Sequence, residues 1–126
     1  MTTTPPDLET PYLLTRYQGA RPAAPAWFDA ALARTPERSH FTSSGARIEL
    51  LTWGERGRPG LLFLHGSGAH ADWWSYIAPF FAAEWRCAAI SWSGMGRSER
   101  RPDGYMLNIF AQETSDALDA AGLLEG

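Results

Sequence analysis

The chain has 126 residues, 44% of them hydrophobic and 20% charged, with a net charge of −3, the size and balance of one soluble domain. An acidic chain without a basic stripe argues against nucleic acid as a partner, and a single cysteine, Cys87, excludes an internal disulfide. No apolar run has the length of a membrane span, and the Met1–Asp7 start lacks the basic and apolar regions of a signal peptide, so a cytoplasmic protein without a membrane partner is expected.

Residues 1–24 are rich in Thr, Pro and Ala without a period and read as a loosely ordered arm. Pro25 to Arg34 reads as a short helix with Pro25 in its first turn, and Trp27, Ala30, Ala31 and Arg34 share one face. The arm with this helix is taken as residues 1–37 and the domain proper as 38–126. His40 to Thr42 and Ala46 to Trp53 flank Ser43-Ser44-Gly45, a hairpin signal. After the polar loop Glu55 to Gly60 comes Leu61-Leu62-Phe63-Leu64, a continuous apolar run of the kind buried on both faces of a parallel sheet. The loop His65 to His70 follows. Asp72 to Glu84 is aromatic, with Pro79 predicted to open a helix that ends near Glu84. Arg86 to Trp92 is the next buried strand, and Cys87 within it is expected to be an inert thiol. Leu107 to Ala121 is the clearest helix, with Leu107, Phe110, Ala111, Thr114, Leu118 and Ala121 on its apolar stripe and Glu113, Asp116 and Asp119 off it. A hairpin followed by strand, helix, strand, helix predicts an α/β architecture with parallel strands.

Two glycine loops carry the chemistry. Leu64-His65-Gly66-Ser67-Gly68 leaves the end of a buried strand, where glycines let backbone approach a ligand and amide N–H groups converge on one point. Such convergence is what stabilises a developing oxyanion; alone, the tetrapeptide fits a plain turn as well. Ser91-Trp92-Ser93-Gly94-Met95-Gly96-Arg97-Ser98 follows the next strand. A dinucleotide loop would need a third glycine at Glu99, and no P-loop lysine follows, so no cofactor is expected. No residue set with metal-ligand spacing stands out, and no metal is assigned.

Taken together, a strand ending in His-Gly-x-Gly, a Trp-rich segment, a second strand and a Gly-x-Gly-x-Ser loop resemble the front of the α/β-hydrolase fold, from about Arg38 to Gly126. The resemblance implies the N-terminal half of that fold, an antiparallel hairpin leading into a parallel sheet with flanking helices. The family usually has Asp at position 91 and Pro at 93; this sequence has Ser at both, while Gly94, Gly96 and Ser98 stay in step. The resemblance makes the Ser67 backbone N–H an oxyanion donor, with His65 a structural residue tying the loop. Gly66 and Gly68 shape the site, and His70 and Trp73 are candidates for its lining. Arg97, Arg100 and Arg101 read as a solvated loop.

No Gly-x-Ser-x-Gly occurs in the sequence, and in this family the nucleophile, acid and base follow in that order. The expectation is therefore a fragment, inactive alone, of a hydrolase that cleaves an ester, amide or related bond of a small-molecule substrate, with a lean toward a serine nucleophile. The alternative is a complete, non-catalytic binding or assembly module on the same half-fold. Without the strand that the family places beside Leu61–Leu64, an open sheet edge is expected to let the isolated chain self-associate.

Overall fold

The computed structural model describes residues 14–126, so the first part of the expected arm lies outside the described residues. The hairpin forms where the turn signal stands. Strand β1 (Glu37–Ser43) pairs antiparallel with β2 (Ala46–Trp53). Ser44 and Gly45 both take positive φ, 46° and 84°, the type I′ geometry whose twist matches that of the flanking strands.

Strands β3 (Gly60–Leu64) and β4 (Arg86–Ile90) pair in parallel, and β4 also pairs antiparallel with β2. The sheet order is β1-β2-β4-β3. All of β4 is buried, because it lies inside the sheet and is covered on both faces. On one face Ile48, Leu50, Ala88 and Ile90 pack against Ala117, Ala121 and Leu123. On the other, Leu51, Trp53, Cys87 and Ala89 pack against Ala71 and Ala78. The period-2 alternation of β2 and β4 thus feeds two apolar layers.

Strand β3 departs from its sequence reading. Its run of four apolar residues predicts burial on both faces, yet Leu61, Leu62 and Phe63 are only partly buried and Leu64 is exposed. The cause is position: among the described residues β3 is an edge strand with β4 as its one neighbour, so its outer backbone groups and part of its side chains have no cover.

Helix α1 (Ala26–Ala33) forms as expected. It buries Ala31 and leaves Trp27 half-exposed against Phe80, with ring centroids 6.1 Å apart. Its end is tied to the body by Trp53 Nε1, which donates to the Arg34 carbonyl, and by Arg34 Nη1, which donates to the Pro79 carbonyl. The helix predicted to run from Pro79 to Glu84 does not form. That segment holds two single turns of 3-10 helix, Ala71–Trp74 and Ala78–Phe80. Proline restricts the residue before it and supplies no N–H, and bulky aromatics on either side anchor to the sheet, with the Trp74 ring tilted against Phe63 at 5.1 Å between centroids. Arg38 Nη1 and Nη2 donate to both Asp72 carboxylate oxygens at 3.0 and 2.8 Å, joining β1 to the first of these turns. The guanidinium holds the Asp72 carboxyl below its usual range, chiefly by this hydrogen bond. The stability gained is present above the ordinary aspartate pKa and is lost as pH falls through the lowered one.

Helix α2 (Leu107–Ala120) closes one face of the sheet. Gly122 N–H donates to the Asp119 carbonyl and Leu123 N–H to the Leu118 carbonyl, a Schellman ending. The predicted stripe holds in part: Ala121 is fully buried and Phe110, Thr114 and Leu118 are half-buried, but Leu107 is 85% exposed, Ala111 is exposed, and Glu113 and Ala117 are fully buried beside it. Leu107 stands at the first position of the helix and lines an open cleft, and Glu113 is turned inward by partners described below.

Burial pushes the Cys87 thiol up to about 11. At pH 8 its thiolate fraction is then roughly one part in a thousand. Iodoacetamide at pH 8 is expected to leave Cys87 unmodified in the folded protein and to alkylate it in denaturant. Because the folded value is raised, the thiol's contribution to stability is intact below the ordinary cysteine pKa and is lost as pH rises toward 11.

Candidate active site

The two glycine loops leave the ends of the adjacent parallel strands β3 and β4 and meet side by side. His65 joins them. Its Nε2 accepts from Trp92 N–H at 3.1 Å, so Nδ1 carries the proton and donates to the Gly66 carbonyl at 2.6 Å. In return Trp92 Nε1 donates to the His65 carbonyl at 2.9 Å. The buried imidazole therefore has both nitrogens engaged in holding loop geometry.

Beyond His65 the loop is open. Gly66, Ser67 and Gly68 are exposed. Ala69 N–H turns back to the Gly66 carbonyl at 3.3 Å, and among the described residues the Ser67 N–H donates to no protein acceptor. Ser67 sits on the wall of a cleft of about 480 Å³ whose other lining is Trp92, Met95, Leu107, Phe110, Ala111 and Thr114. Thr114 Oγ1 is already bonded to the Phe110 carbonyl at 2.9 Å. The cleft thus combines a free backbone donor with an apolar wall, the combination used to bind and orient a small ligand.

The second loop is fixed by two buried glutamates, Glu49 and Glu113, the latter read from the sequence as lying off the apolar stripe of its helix. Glu49 on β2 is 5% exposed. Its Oε1 accepts from Ser91 Oγ at 2.7 Å and from Arg97 N–H at 3.2 Å. Gly96 makes room for this contact: it has φ +51°, and a Cβ there would collide with Ser91 Oγ and lie 2.9 Å from Glu49 Oε1. Ser98 Oγ accepts from Glu49 N–H at 2.8 Å and donates to the Ser91 carbonyl at 2.6 Å. Glu113 on α2 accepts from Ser93 N–H at 2.9 Å and from Ser93 Oγ at 2.6 Å. Arg101 Nη2 meets Glu113 Oε2 at 3.0 Å and also donates to the Ser43 carbonyl at 2.8 Å, while Nη1 reaches the Ser44 carbonyl at 2.8 Å.

Arg101 therefore corrects the reading of a solvated arginine loop. Its side chain is 9% exposed and clamps α2 to the β1–β2 turn, while Arg97 and Arg100 are exposed. The two serines that replace the family's usual Asp and Pro are the partners of these glutamates. A proline at 93 would have no N–H for Glu113.

Residues 61–125, just over half of the chain, match the alpha/beta hydrolase family. The chain belongs to that family. Mouse epoxide hydrolase 4 is 29% identical over 107 residues, which is 83% of this chain and 30% of that protein. Human epoxide hydrolase 4 is 32% identical over 81 residues, 63% of this chain and 22% of that one. Among solved structures, epoxide hydrolase A from Mycobacterium thermoresistibile superposes with a TM-score of 0.64 at 26% identity, covering 70% of this chain and 28% of that one. The thioesterase domain from the curacin biosynthetic pathway gives 0.62 at 25%, covering 68% and 31%. The chain thus spans less than a third of the length of these relatives.

Of the residues the sequence singles out, His65, Gly66, Ser67 and Gly68 form one loop at the mouth of the cleft. His70 and Trp73 follow it but do not line the cleft; both are exposed, Trp73 at 56%, with its ring edge-on to Tyr76. Trp92 and Met95, read from the sequence only as a core residue and part of a turn, do line it. Among the described residues no helix is long and apolar enough to cross a membrane.

Proposed function

We propose that this chain supplies the oxyanion half of an α/β-hydrolase active site, with the nucleophile, acid and base on polypeptide outside these 126 residues. The carrying observation is the unpartnered Ser67 N–H at the wall of an apolar cleft, on a loop whose base is fixed by His65. In this reading a nucleophilic oxygen bonds to the carbonyl carbon of an ester or amide. The C=O π pair moves onto oxygen, and that oxyanion accepts from Ser67 N–H and from a second backbone donor beside the nucleophile. Collapse re-forms C=O and expels the alcohol or amine, and water releases the acyl group from the covalent intermediate. The apolar cleft takes a nonpolar part of a small-molecule substrate. The epoxide hydrolase relatives favour a second reading, in which the bond opened is an epoxide C–O bond.

A serine-directed phosphonate and an activated ester test the assignment. The 126-residue chain is expected to show no turnover above background and no stoichiometric label, whereas the full-length protein is expected to label once, outside these residues. Labelling of Ser67 or Ser98 would overturn the proposal. An unlabelled full-length protein that hydrates an epoxide would select the second reading.

The same proposal gives β3 an open outer edge in the isolated chain, with Phe63, Phe81 and Leu64 near it insufficiently covered. Such an edge pairs with another chain. Sedimentation of the isolated chain is expected to report oligomers or aggregate. A compact, cooperatively melting monomer would instead favour the complete binding or assembly module.

A further inference from the structure

The loop that carries Ser67 is held at two points by consecutive residues of the second loop. Trp92 grips its start through His65. Ser91 grips its end, since Ser91 Oγ accepts from Ala71 N–H at 2.9 Å, where the first 3-10 turn begins. Ser91 is fully buried, so its hydroxyl has no water to choose instead. A hydroxyl has one hydrogen to give and lone pairs to offer, and its single hydrogen goes to Glu49 Oε1. An ionised carboxylate accepts only, so Glu49 fixes which way the hydroxyl points and leaves the lone pairs facing Ala71. Among the described residues no arginine, lysine or histidine lies within ion-pair distance of Glu49; its buried charge is met by Ser91 and by the Arg97 N–H.

From this geometry we propose that Glu49 is a positioning residue for the loop that carries Ser67, acting through Ser91, and that the site where β2 meets the residue after β4 holds one carboxylate, at position 49 or at position 91. Calling that loop an oxyanion loop rests on the proposed function; the positioning itself does not. Glu49→Gln keeps an amide oxygen where Oε1 stands, able to accept from both Ser91 and Arg97. Glu49→Leu removes the acceptor and frees the hydroxyl to turn away from Ala71. Ser91→Asp alone sets two carboxylates in hydrogen-bond range inside the protein, where like charges disfavour one another strongly. Adding Glu49→Gln to it leaves a single carboxylate at position 91, able to take the Ala71 N–H itself.

Amide hydrogen exchange in the full-length protein, read at Ala71 with Ala88 of β4 as the internal reference, tests this together with thermal melting. Relative to Ala88, Ala71 is expected to lose about tenfold or more of its protection in Glu49→Leu, the scale of one lost buried hydrogen bond, and little in Glu49→Gln. Ser91→Asp is expected to melt well below the parent, and Glu49→Gln/Ser91→Asp to recover most of the loss. Equal loss of protection at Ala71 and Ala88 would overturn the proposal, as would a double variant no more stable than Ser91→Asp. If exchange behaves as expected while hydrolysis is indifferent to Ser67, the clamp stands and the proposed function falls.

Discussion

Ser67→Pro in the full-length hydrolase is expected to lower kcat by about 10²–10³, the usual effect of removing one oxyanion donor. Proline deletes the N–H that has no protein acceptor here. The substitution is otherwise mild: Ser67 is exposed, lies in a turn outside any helix or strand ladder, and has no positive φ. Ser67→Ala keeps the N–H and removes only a hydroxyl that has no partner among the described residues, so it is expected to cost far less. A fall in kcat with little change in KM would place the lost interaction in the transition state. Equal losses in the two variants would assign the role to the side chain.

Breaking the Arg101–Glu113 pair is expected to be the most destabilising surface-to-core change in the second loop. Glu113 is fully buried and gathers Ser93 N–H, Ser93 Oγ and Arg101. Removing one partner of a buried pair strands the other charge at a cost of about 3–5 kcal/mol. In the full-length protein, where these variants are to be melted, that is a fall in Tm of roughly 5–10 °C. Glu113→Leu leaves the guanidinium with the Ser43 and Ser44 carbonyls only; Arg101→Met leaves the carboxylate with Ser93 only. The double variant is expected to be less destabilised than the sum of the singles, because no charge is left unmatched. Singles that each shift Tm by only a degree or two would show that the pair contributes little.

The sequence carried the hairpin, both parallel strands, α1, α2 and the glycine loops, because each has a local signature: a turn pair at Ser44-Gly45, apolar runs of strand length, and loops at strand ends. It also carried the departures at Ser91 and Ser93 without their meaning. What it lacked is the pairing across space. Glu49 alternates with Ile48 and Leu50 as a solvent-facing residue should, and Glu113 falls on the polar side of its helix by hydropathy. Both are buried because a serine from the second loop meets each of them. A single sequence does not show that meeting, although two unexpected serines in one loop, with acidic residues on the flanking strand and helix, were the available signal. Leu107 failed in the opposite sense: it is apolar and in phase, but it stands at the first helical position on the wall of the open cleft and is exposed. The aromatic segment before β4 failed because side-chain anchoring and Pro79 outweighed helical spacing.

In the proposed site a backbone N–H at position 67, rather than any side chain of the loop, stabilises negative charge. Replacing the Ser67 amide nitrogen with an ester oxygen by semisynthesis in the full-length protein deletes that donor while leaving the side chain in place; it also weakens the Gly66 carbonyl as acceptor for His65 Nδ1 and Ala69 N–H. Turnover of an activated ester is expected to fall by about 10²–10³ in kcat, with only a small change in Tm, since the deleted N–H has no partner within the described residues. Undiminished turnover in the ester-substituted protein would contradict this role for the Ser67 N–H.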